Sequence, residues 1–189
     1  MTKIAIVFYS GYGHTAKQAE AVRAGAASVA NTTVYPIDKN GDLPEGAFEA
    51  IADADAIIYG SPTYMGGPAW QFKKFADATS KPWFTQGWKD KVAAGFTNSA
   101  SVNGDKATTI DYLFHLSMQH SQIWVGTGVM PSNAKAHGPD DVNWTAGFAG
   151  ALAVSPSDAS PDEAPRKGDL ETARLLGVRV AEMAQKLRG

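Results

Sequence analysis

Cysteine is absent from the sequence, and charge of either sign is sparse. Without cysteine, the chain of 189 residues has no disulfide, thiol nucleophile, cysteine-ligated zinc or iron–sulfur cluster. The 17 Lys and Arg are balanced by 19 Asp and Glu, and the net charge of -2 lacks the basic excess typical of nucleic-acid-binding proteins. No apolar run approaches the roughly 18 residues of a membrane-spanning helix, and no signal peptide precedes the first hydrophobic run. We therefore expect a cytoplasmic protein with no membrane span and no nucleic-acid partner.

Side chains that perform chemistry by themselves are also scarce. The four histidines are not clustered as metal ligands are. The acidic residues form no paired catalytic site, and the Gly-x-Ser-x-Gly motif of a hydrolase nucleophile is absent. We therefore expect no metal site, and we expect a redox cofactor to supply the chemistry.

The first clear feature is a strand, a loop and a helix at the start of the chain. Residues 4–8 form an unbroken apolar run, which is typical of a strand covered on both faces. Residues 16–23 are rich in alanine and favour a helix. The loop between them contains Ser10, Gly11, Tyr12, Gly13, His14 and Thr15. Because unpaired N–H groups at a helix N-terminus attract anions, and two hydroxyls stand beside them, this loop predicts a phosphate-binding site.

The same loop matches the dinucleotide fingerprint Gly-x-Gly-x-x-Gly/Ala through Gly11, Gly13 and Ala16. An acidic residue, Asp38, ends the next strand candidate, somewhat farther along than the roughly 20 residues expected after such a loop. A Walker A loop is absent from the sequence. A Rossmann-type dinucleotide site is therefore an open alternative for this loop.

Three strand candidates are each followed by a loop of the same character. The strands cover residues 4–8, 55–60 and 91–97, and the small, polar, glycine-containing loops cover residues 10–15, 61–67 and 98–104. Strands that alternate with helices predict an α/β fold with a parallel sheet and helices on both faces. The carboxyl ends of such strands meet at one edge of the sheet, where ligands bind. One loop for a phosphate and two for a ring suit a planar heterocycle better than an extended dinucleotide.

Three stretches carry a resemblance to a known family. They are Tyr-Ser-Gly-Tyr-Gly-His-Thr at 9–15, Gly-Ser-Pro-Thr-Tyr-Met-Gly at 60–66, and Gln-His at 119–120. Together they resemble the WrbA family of FMN-dependent NAD(P)H:quinone oxidoreductases, and the resemblance extends over most of the chain. It implies a flavodoxin-like three-layer α/β sandwich, with a five-stranded parallel sheet in the order 2-1-3-4-5. It also implies FMN as the cofactor and NAD(P)H as the electron donor.

The resemblance also implies a role for particular residues. The FMN phosphate is expected at the loop of residues 10–15. The ring is expected to contact Pro62, Thr63, Tyr64, Met65 and Gly66, and its polar edge Asn98, Ser99, Ala100, Ser101, Val102 and Asn103. His120 is expected beside the isoalloxazine as the catalytic candidate. Tyr12 is expected to contact the nicotinamide nucleotide, and Trp83 to wall the substrate pocket.

The chain departs from the family pattern at several places. The family usually has Arg-Phe where this chain has Tyr64 and Met65, its third loop is richer in glycine, and its segment after the second strand is longer. These departures concern the substrate range and the subunit contacts more than cofactor binding.

The expected activity is two-electron reduction of quinones by one domain covering residues 1–189. NAD(P)H would pass a hydride to FMN and leave before the quinone binds at the same face, which is a ping-pong sequence. The alternative is a flavodoxin-type carrier that binds FMN, docks on redox partner proteins and transfers single electrons. The net charge of -2 argues against the strongly acidic docking face of such carriers.

The segment of residues 127–167 is too long for a simple connection between a strand and a helix. It nevertheless contains many apolar residues, which must pack on something. One possibility is the edge of the chain's own sheet, as an extension of the fifth strand. The favoured possibility, which the resemblance supports, is contact between subunits of a homo-oligomer, either a dimer or a tetramer.

Overall fold

The computed structural model describes residues 1–188 of the chain. Within these residues the strands are β1 (Lys3–Tyr9), β2 (Asn31–Ile37), β3 (Ala56–Tyr64), β4 (Gly67–Pro68), β5 (Val92–Ser99), β6 (Ile123–Trp124) and β7 (Ala151–Val154). The helices are α1 (His14–Ala27), α2 (Ala47–Ala52), α3 (Trp70–Ala78), α4 (Ser80–Phe84), α5 (Lys106–Gln119) and α6 (Lys167–Arg188). None of these helices is both long enough and apolar enough to cross a membrane.

The sheet has the strand order β2-β1-β3-β5-β6, and neighbouring strands in this row are parallel. Since β5 takes the fourth place and β6 the fifth, the predicted order 2-1-3-4-5 is confirmed. The number of strands differs from the expected five, because two short strands join the sheet. β4 is an antiparallel partner of β3, and β7 is a second parallel partner of β5.

The fifth place in the sheet is shared by β6 and β7. β6 pairs with the first two residues of β5, whereas β7 pairs with its last four. Between these strands the chain leaves the sheet and returns to it. The Thr127 hydroxyl helps to hold this excursion by donating to the Gly147 carbonyl oxygen at 2.8 Å. Part of the segment 127–167 thus extends the sheet edge of its own chain, which is the less favoured of the two possibilities stated above.

Two hydrophobic cores lie on the two faces of the sheet. Alternate residues of a strand point to opposite faces, and β1 contributes Ile4, Ile6 and Phe8 to one core and Ala5, Val7 and Tyr9 to the other. Residues of α1 and α6 complete the first core, and residues of α3 and α5 complete the second. This alternation explains why the strands read as unbroken apolar runs, and it produces the three-layer sandwich.

Helices α1 and α6 approach each other so closely that their backbones meet at two glycines. A Cβ atom on Gly25 would lie 1.9 Å from the carbonyl oxygen of Arg174. A Cβ atom on Gly177 would lie 2.1 Å from the carbonyl oxygen of Val22. Neither position has room for a side chain, so the contact between these helices depends on both glycines.

Candidate functional site

A cleft of about 520 Å³ opens at the carboxyl ends of β1, β3 and β5. The three predicted loops each contribute to its walls, and a fourth segment after β7 joins them. The lining residues are Tyr12, His14, Thr15, Pro62, Thr63, Tyr64, Asn98, Ser99, Ala100, Ser155, Pro156, Ser157 and Ala159. The predicted convergence of the three loops at one edge of the sheet is therefore present in the structure.

The first loop keeps its shape through the Ser10 hydroxyl, which accepts hydrogen bonds from the N–H groups of Gly13 and Ala16, each at 3.1 Å. The residue at the N-cap of α1 is Gly13, which has no side chain to cap the helix, and the first turn of α1 contains no acidic residue. Within residues 1–188, no acceptor is found for the N–H groups of Tyr12, His14 and Thr15, whereas the Gly11 N–H group faces the Tyr64 hydroxyl. Since these donors lie at the positive end of a helix, the loop is suited to hold an anion.

The fourth segment, residues 155–159, is fastened to the first loop. His14 Nε2 lies 3.0 Å from the carbonyl oxygen of Ala159. Because a carbonyl oxygen only accepts, Nε2 carries the proton of this imidazole. Pro161, just beyond the segment, occupies the space that a Cβ atom on Gly13 would take, with its Cγ atom 2.6 Å from that position. His14 thus joins two walls of the cleft, and its expected contact with a phosphate stays a prediction.

The second predicted loop, residues 61–67, is mostly strand in the structure. Strand β3 continues through Pro62 and Thr63, and only Met65 and Gly66 form the turn into β4. Pro62 and Thr63 stay in the strand because the pairing between β3 and its neighbour β5 extends as far as Pro62 and Asn98. A stretch rich in turn-forming residues is thereby held as a hairpin beside the cleft.

Three threonine hydroxyls form a buried chain under the hairpin. Thr63 Oγ1 lies 2.8 Å from Thr97 Oγ1 and 2.7 Å from Thr109 Oγ1. These residues come from β3, β5 and α5, and all three are buried. The chain of hydroxyls fixes the position of the hairpin relative to the third loop.

Two tyrosines form the aromatic part of the cleft. Tyr12 and Tyr64 pack edge to face, with ring centroids 6.1 Å apart. A Cβ atom on Gly11 would lie 2.7 Å from the Tyr64 hydroxyl oxygen, so the glycine permits this close approach. Burial, together with the neighbouring tyrosines, raises the pKa of Tyr64 to about 12. Both rings offer apolar surface to a planar ligand, and Tyr64 remains neutral at physiological pH.

The third loop enters the cleft through its first residues. Asn98 and Ser99 are buried at the end of β5, and the exposed Ala100 follows them. Asn98 Oδ1 accepts a hydrogen bond from the Ser155 hydroxyl at 2.9 Å, which joins the third wall to the fourth. The remaining predicted residues, Ser101, Val102 and Asn103, are exposed and do not line the cleft.

The fourth wall was missed by the sequence analysis, although the chain carries a signal for it. The apolar run of β7 ends in Ser155, Pro156 and Ser157. This is the same pattern, a buried strand followed by a small polar loop, that identified the other three walls. The pattern was obscured because it lies inside a long irregular segment.

His120 and Trp83 lie in a different cavity. They share a pocket of about 390 Å³ with residues of α3, α4 and α5, and none of the residues that line the cleft contributes to it. The reason is the direction of α5. This helix starts beside the end of β5 and, at about 1.5 Å per residue, its 14 residues carry His120 back towards the start of that strand. Within one chain, His120 is therefore separated from the three loops, and a contact with the isoalloxazine stays a prediction.

The protonation state of His120 follows from its neighbours. The Thr79 hydroxyl donates to the Ala76 carbonyl oxygen at 2.6 Å and lies 2.8 Å from His120 Nε2. Since the hydroxyl has one proton, Nε2 must be the donor in the second contact. Burial lowers the pKa of His120 to about 4. The ring, which packs on Trp88 at a centroid distance of 4.6 Å, is thus neutral with its proton on Nε2.

Comparison with known proteins identifies relatives over the full length of the chain. A family model described as NADPH-dependent FMN reductase matches residues 14–136. The chain is 47% identical over 187 residues to flavodoxin FldP of Pseudomonas aeruginosa (strain UCBPP-PA14), with 99% of each protein covered. It is 32% identical over 207 residues to an NAD(P)H dehydrogenase (quinone) of Trichlorobacter lovleyi, again with 99% of each covered.

A solved structure agrees with these relatives. The flavodoxin, WrbA-like protein from Agrobacterium tumefaciens is 46% identical and superposes with a TM-score of 0.79, covering 98% of this chain and 99% of that one. With a matching fold, a cleft at the predicted edge of the sheet and relatives that span its whole length, the chain belongs to the NADPH-dependent FMN reductase family, among its WrbA-like members with a flavodoxin fold.

Proposed function

We propose that the chain binds FMN in the cleft and uses it as an NAD(P)H:quinone oxidoreductase. The family implies FMN as the cofactor and NAD(P)H as the electron donor. The observation that carries the proposal is the first loop, where three backbone N–H groups without an acceptor in residues 1–188 stand next to a cleft with aromatic walls.

The residues of the cleft fit FMN in size and in chemistry. A volume of about 520 Å³ falls within the range of roughly 300 to 1,000 Å³ typical of small-molecule sites. Neither Lys nor Arg is found among the described residues that line it, so a phosphate would be held by the amides of the first loop and the hydroxyl of Thr15. Tyr12 and Tyr64 would cover the ring, and Asn98, Ser99 and Ala100, which line the cleft, would meet its polar edge.

Bound FMN would supply two-electron chemistry, accepting a hydride from NAD(P)H and reducing a quinone. The protein's own residues bind and orient the reactants. Tyr12, which is 76% exposed at the mouth of the cleft, offers a surface to the nicotinamide nucleotide. Because one cleft would serve both reactants in turn, NAD(P)H and the quinone would bind alternately and not together.

Titration with FMN followed by steady-state kinetics tests this proposal. We expect the purified protein to bind FMN at micromolar concentration and the complex to oxidise NAD(P)H when a quinone is present. Double-reciprocal plots at several quinone concentrations should be parallel, as alternate binding requires. A protein that ignores FMN contradicts cofactor binding, whereas intersecting lines contradict the shared cleft alone.

A second candidate function is that of a flavodoxin-type electron carrier. The observation in its favour is the relative at 47% identity, which is named a flavodoxin. A carrier would bind FMN equally well, yet would oxidise NAD(P)H negligibly and would reduce a redox partner protein in single-electron steps. The rate of NAD(P)H oxidation by the FMN-loaded protein therefore separates the two functions.

We further propose that His120 and Trp83 act in a homo-oligomer, where the cavity of one chain faces the cleft of another. Apolar side chains support such an assembly, since Met130 is 81% exposed, Phe148 56% and Trp83 49%. Sedimentation of the FMN-bound protein should show a dimer or a tetramer, and His120→Ala should lower quinone turnover more than FMN affinity. A monomer at tens of micromolar, or an unchanged turnover, contradicts this assignment.

A further inference from the structure

Lys106 occupies a position that two physical rules disfavour. It is the first residue of α5, where a positive charge faces the positive end of the helix dipole. It is also only 1% exposed, although lysine is almost never fully buried unless its charge is compensated. Proteins break such local rules chiefly at functional sites and offset the cost through other interactions.

The buried charge of Lys106 is compensated by three hydrogen bonds from its ammonium group to the third loop. It donates to the Ser99 hydroxyl and to the carbonyl oxygens of Ser101 and Val102, each at 2.8 Å. An ammonium has three N–H donors, so all of them are used. A neutral amine has only two, and this arrangement therefore suits the charged form. Burial lowers the pKa of Lys106 to about 8, which leaves the group predominantly charged at pH 7.

These contacts place the cation one side chain behind the wall of the cleft. Ser99, which accepts from Lys106, lines the cleft itself. In a trans peptide the N–H group points away from the C=O group. Since the carbonyls of Ser101 and Val102 face Lys106, the N–H groups of the next residues, Val102 and Asn103, point away from it. Neither of these N–H groups has an acceptor within residues 1–188.

The buried acidic group whose charge acts on Lys106 does not pair with it directly. Asp169, at the start of α6, is buried and accepts a hydrogen bond from the Val154 N–H group at 2.9 Å. No ion pair between Asp169 and Lys106 is formed in the described part of the chain. Burial raises the pKa of Asp169 to about 6. Asp169 holds β7, which leads into the fourth wall of the cleft, whereas Lys106 holds the third wall.

We propose that Lys106 is a positioning residue that fixes the third loop and stabilises the negative charge gained by the FMN ring on reduction. The proposal rests on the binding of FMN in the cleft. A hydride brings two electrons and one proton to the oxidised ring, so the ring becomes more negative by one charge. A buried cation behind the loop that meets the polar edge of the ring favours the reduced form, because water screens this interaction only weakly.

The measurable consequence is a higher reduction potential of bound FMN. Loss of the charge in Lys106→Met should weaken the binding of reduced FMN by about tenfold relative to oxidised FMN. This change corresponds to a fall of about 30 mV in the two-electron midpoint potential. The potential is measured by equilibration with a reference dye, and the affinity for oxidised FMN by fluorescence titration.

Two further variants separate the charge from its structural surroundings. Lys106→Gln removes the charge but keeps two N–H donors for the loop carbonyls, so it tests the proposal even where Lys106→Met does not fold. Lys91→Met is the matched control. Lys91 also donates to two backbone carbonyl oxygens, those of Ala52 and Ala54. It precedes the first residue of β5, however, and so lies at the end of that strand that is away from the cleft.

The outcomes distinguish this inference from the proposed function. A lowered potential in both Lys106 variants, with the wild-type potential in Lys91→Met, supports it. A wild-type protein that binds FMN, together with unchanged potentials in both Lys106 variants, overturns this inference alone. An equal fall in Lys91→Met shows that the effect does not depend on the position of the lysine behind the cleft, and it also overturns the inference. A wild-type protein that binds no FMN overturns both proposals.

Discussion

Replacement of Gly13 by alanine should weaken FMN binding on the order of 100-fold. Gly13 has a φ of 91°, in the left-handed region that a residue with a Cβ atom adopts only at a cost. Its Cβ atom would also lie 2.6 Å from Cγ of Pro161. Either the first loop or the segment after the fourth wall must then move, and the N–H groups at the start of α1 move with it. Fluorescence titration of the purified variant with FMN measures the loss.

Gly46→Ala is the control for this effect. Gly46 also precedes a helix and also has a positive φ, of 75°, but nothing lies within 4 Å of the position of its Cβ atom. Gly46→Ala therefore carries the same cost of a positive φ without a steric clash, and residue 46 lies outside the cleft. We expect wild-type affinity for FMN in Gly46→Ala. Equal losses in the two variants would show that general destabilisation, and not a change in the first loop, is responsible.

Replacement of Gly25 by alanine should lower the free energy of unfolding by roughly 3 kcal/mol. Alanine normally stabilises a helix relative to glycine, by about 0.5 to 1 kcal/mol. Here the new methyl group would meet the backbone of Arg174 at 1.9 Å, so α1 and α6 must separate along their contact. The packing cost exceeds the gain in helix propensity, so the substitution destabilises the protein instead of stabilising it. Thermal unfolding should show a midpoint lowered by about 6 to 12 °C.

Gly138→Ala provides the comparison for this stability measurement. No atom lies within 4 Å of the position of its Cβ, so the methyl group has free space. We expect its midpoint to stay within about 2 °C of the wild-type value. If Gly25→Ala behaved in the same way, the close approach of the two helices would not be required for the fold.

The parts of the site that sequence predicted correctly are those set by local rules. The first loop lies where the sequence predicts it. The apolar run of β1, the glycines after it and the start of α1 are all encoded within a few residues of one another, so short-range patterns are sufficient to locate this loop. The convergence of three loops was also predictable, because parallel strands connected by helices bring their carboxyl ends to one edge of the sheet.

The parts that sequence missed depend on contacts between distant residues. Residues around Pro62 read as a loop, yet pairing with β5 holds them in a strand. The fourth wall depends on the pairing of β7 with the end of β5, which local patterns do not encode. His120 was assigned from a family resemblance, and only the path of α5 shows that it lies away from the loops of its own chain.

The division of the fifth place in the sheet between β6 and β7 affects the tendency of the protein to aggregate. An open sheet exposes unpaired backbone groups along both edges, and a long flat edge is a template for aggregation. On one side the edge is β2, which contains Pro36 and so lacks one N–H donor. On the other side the edge is divided into strands of two and four residues. Neither edge presents a long continuous row of donors and acceptors, so the division protects the protein from edge-to-edge association with other sheets.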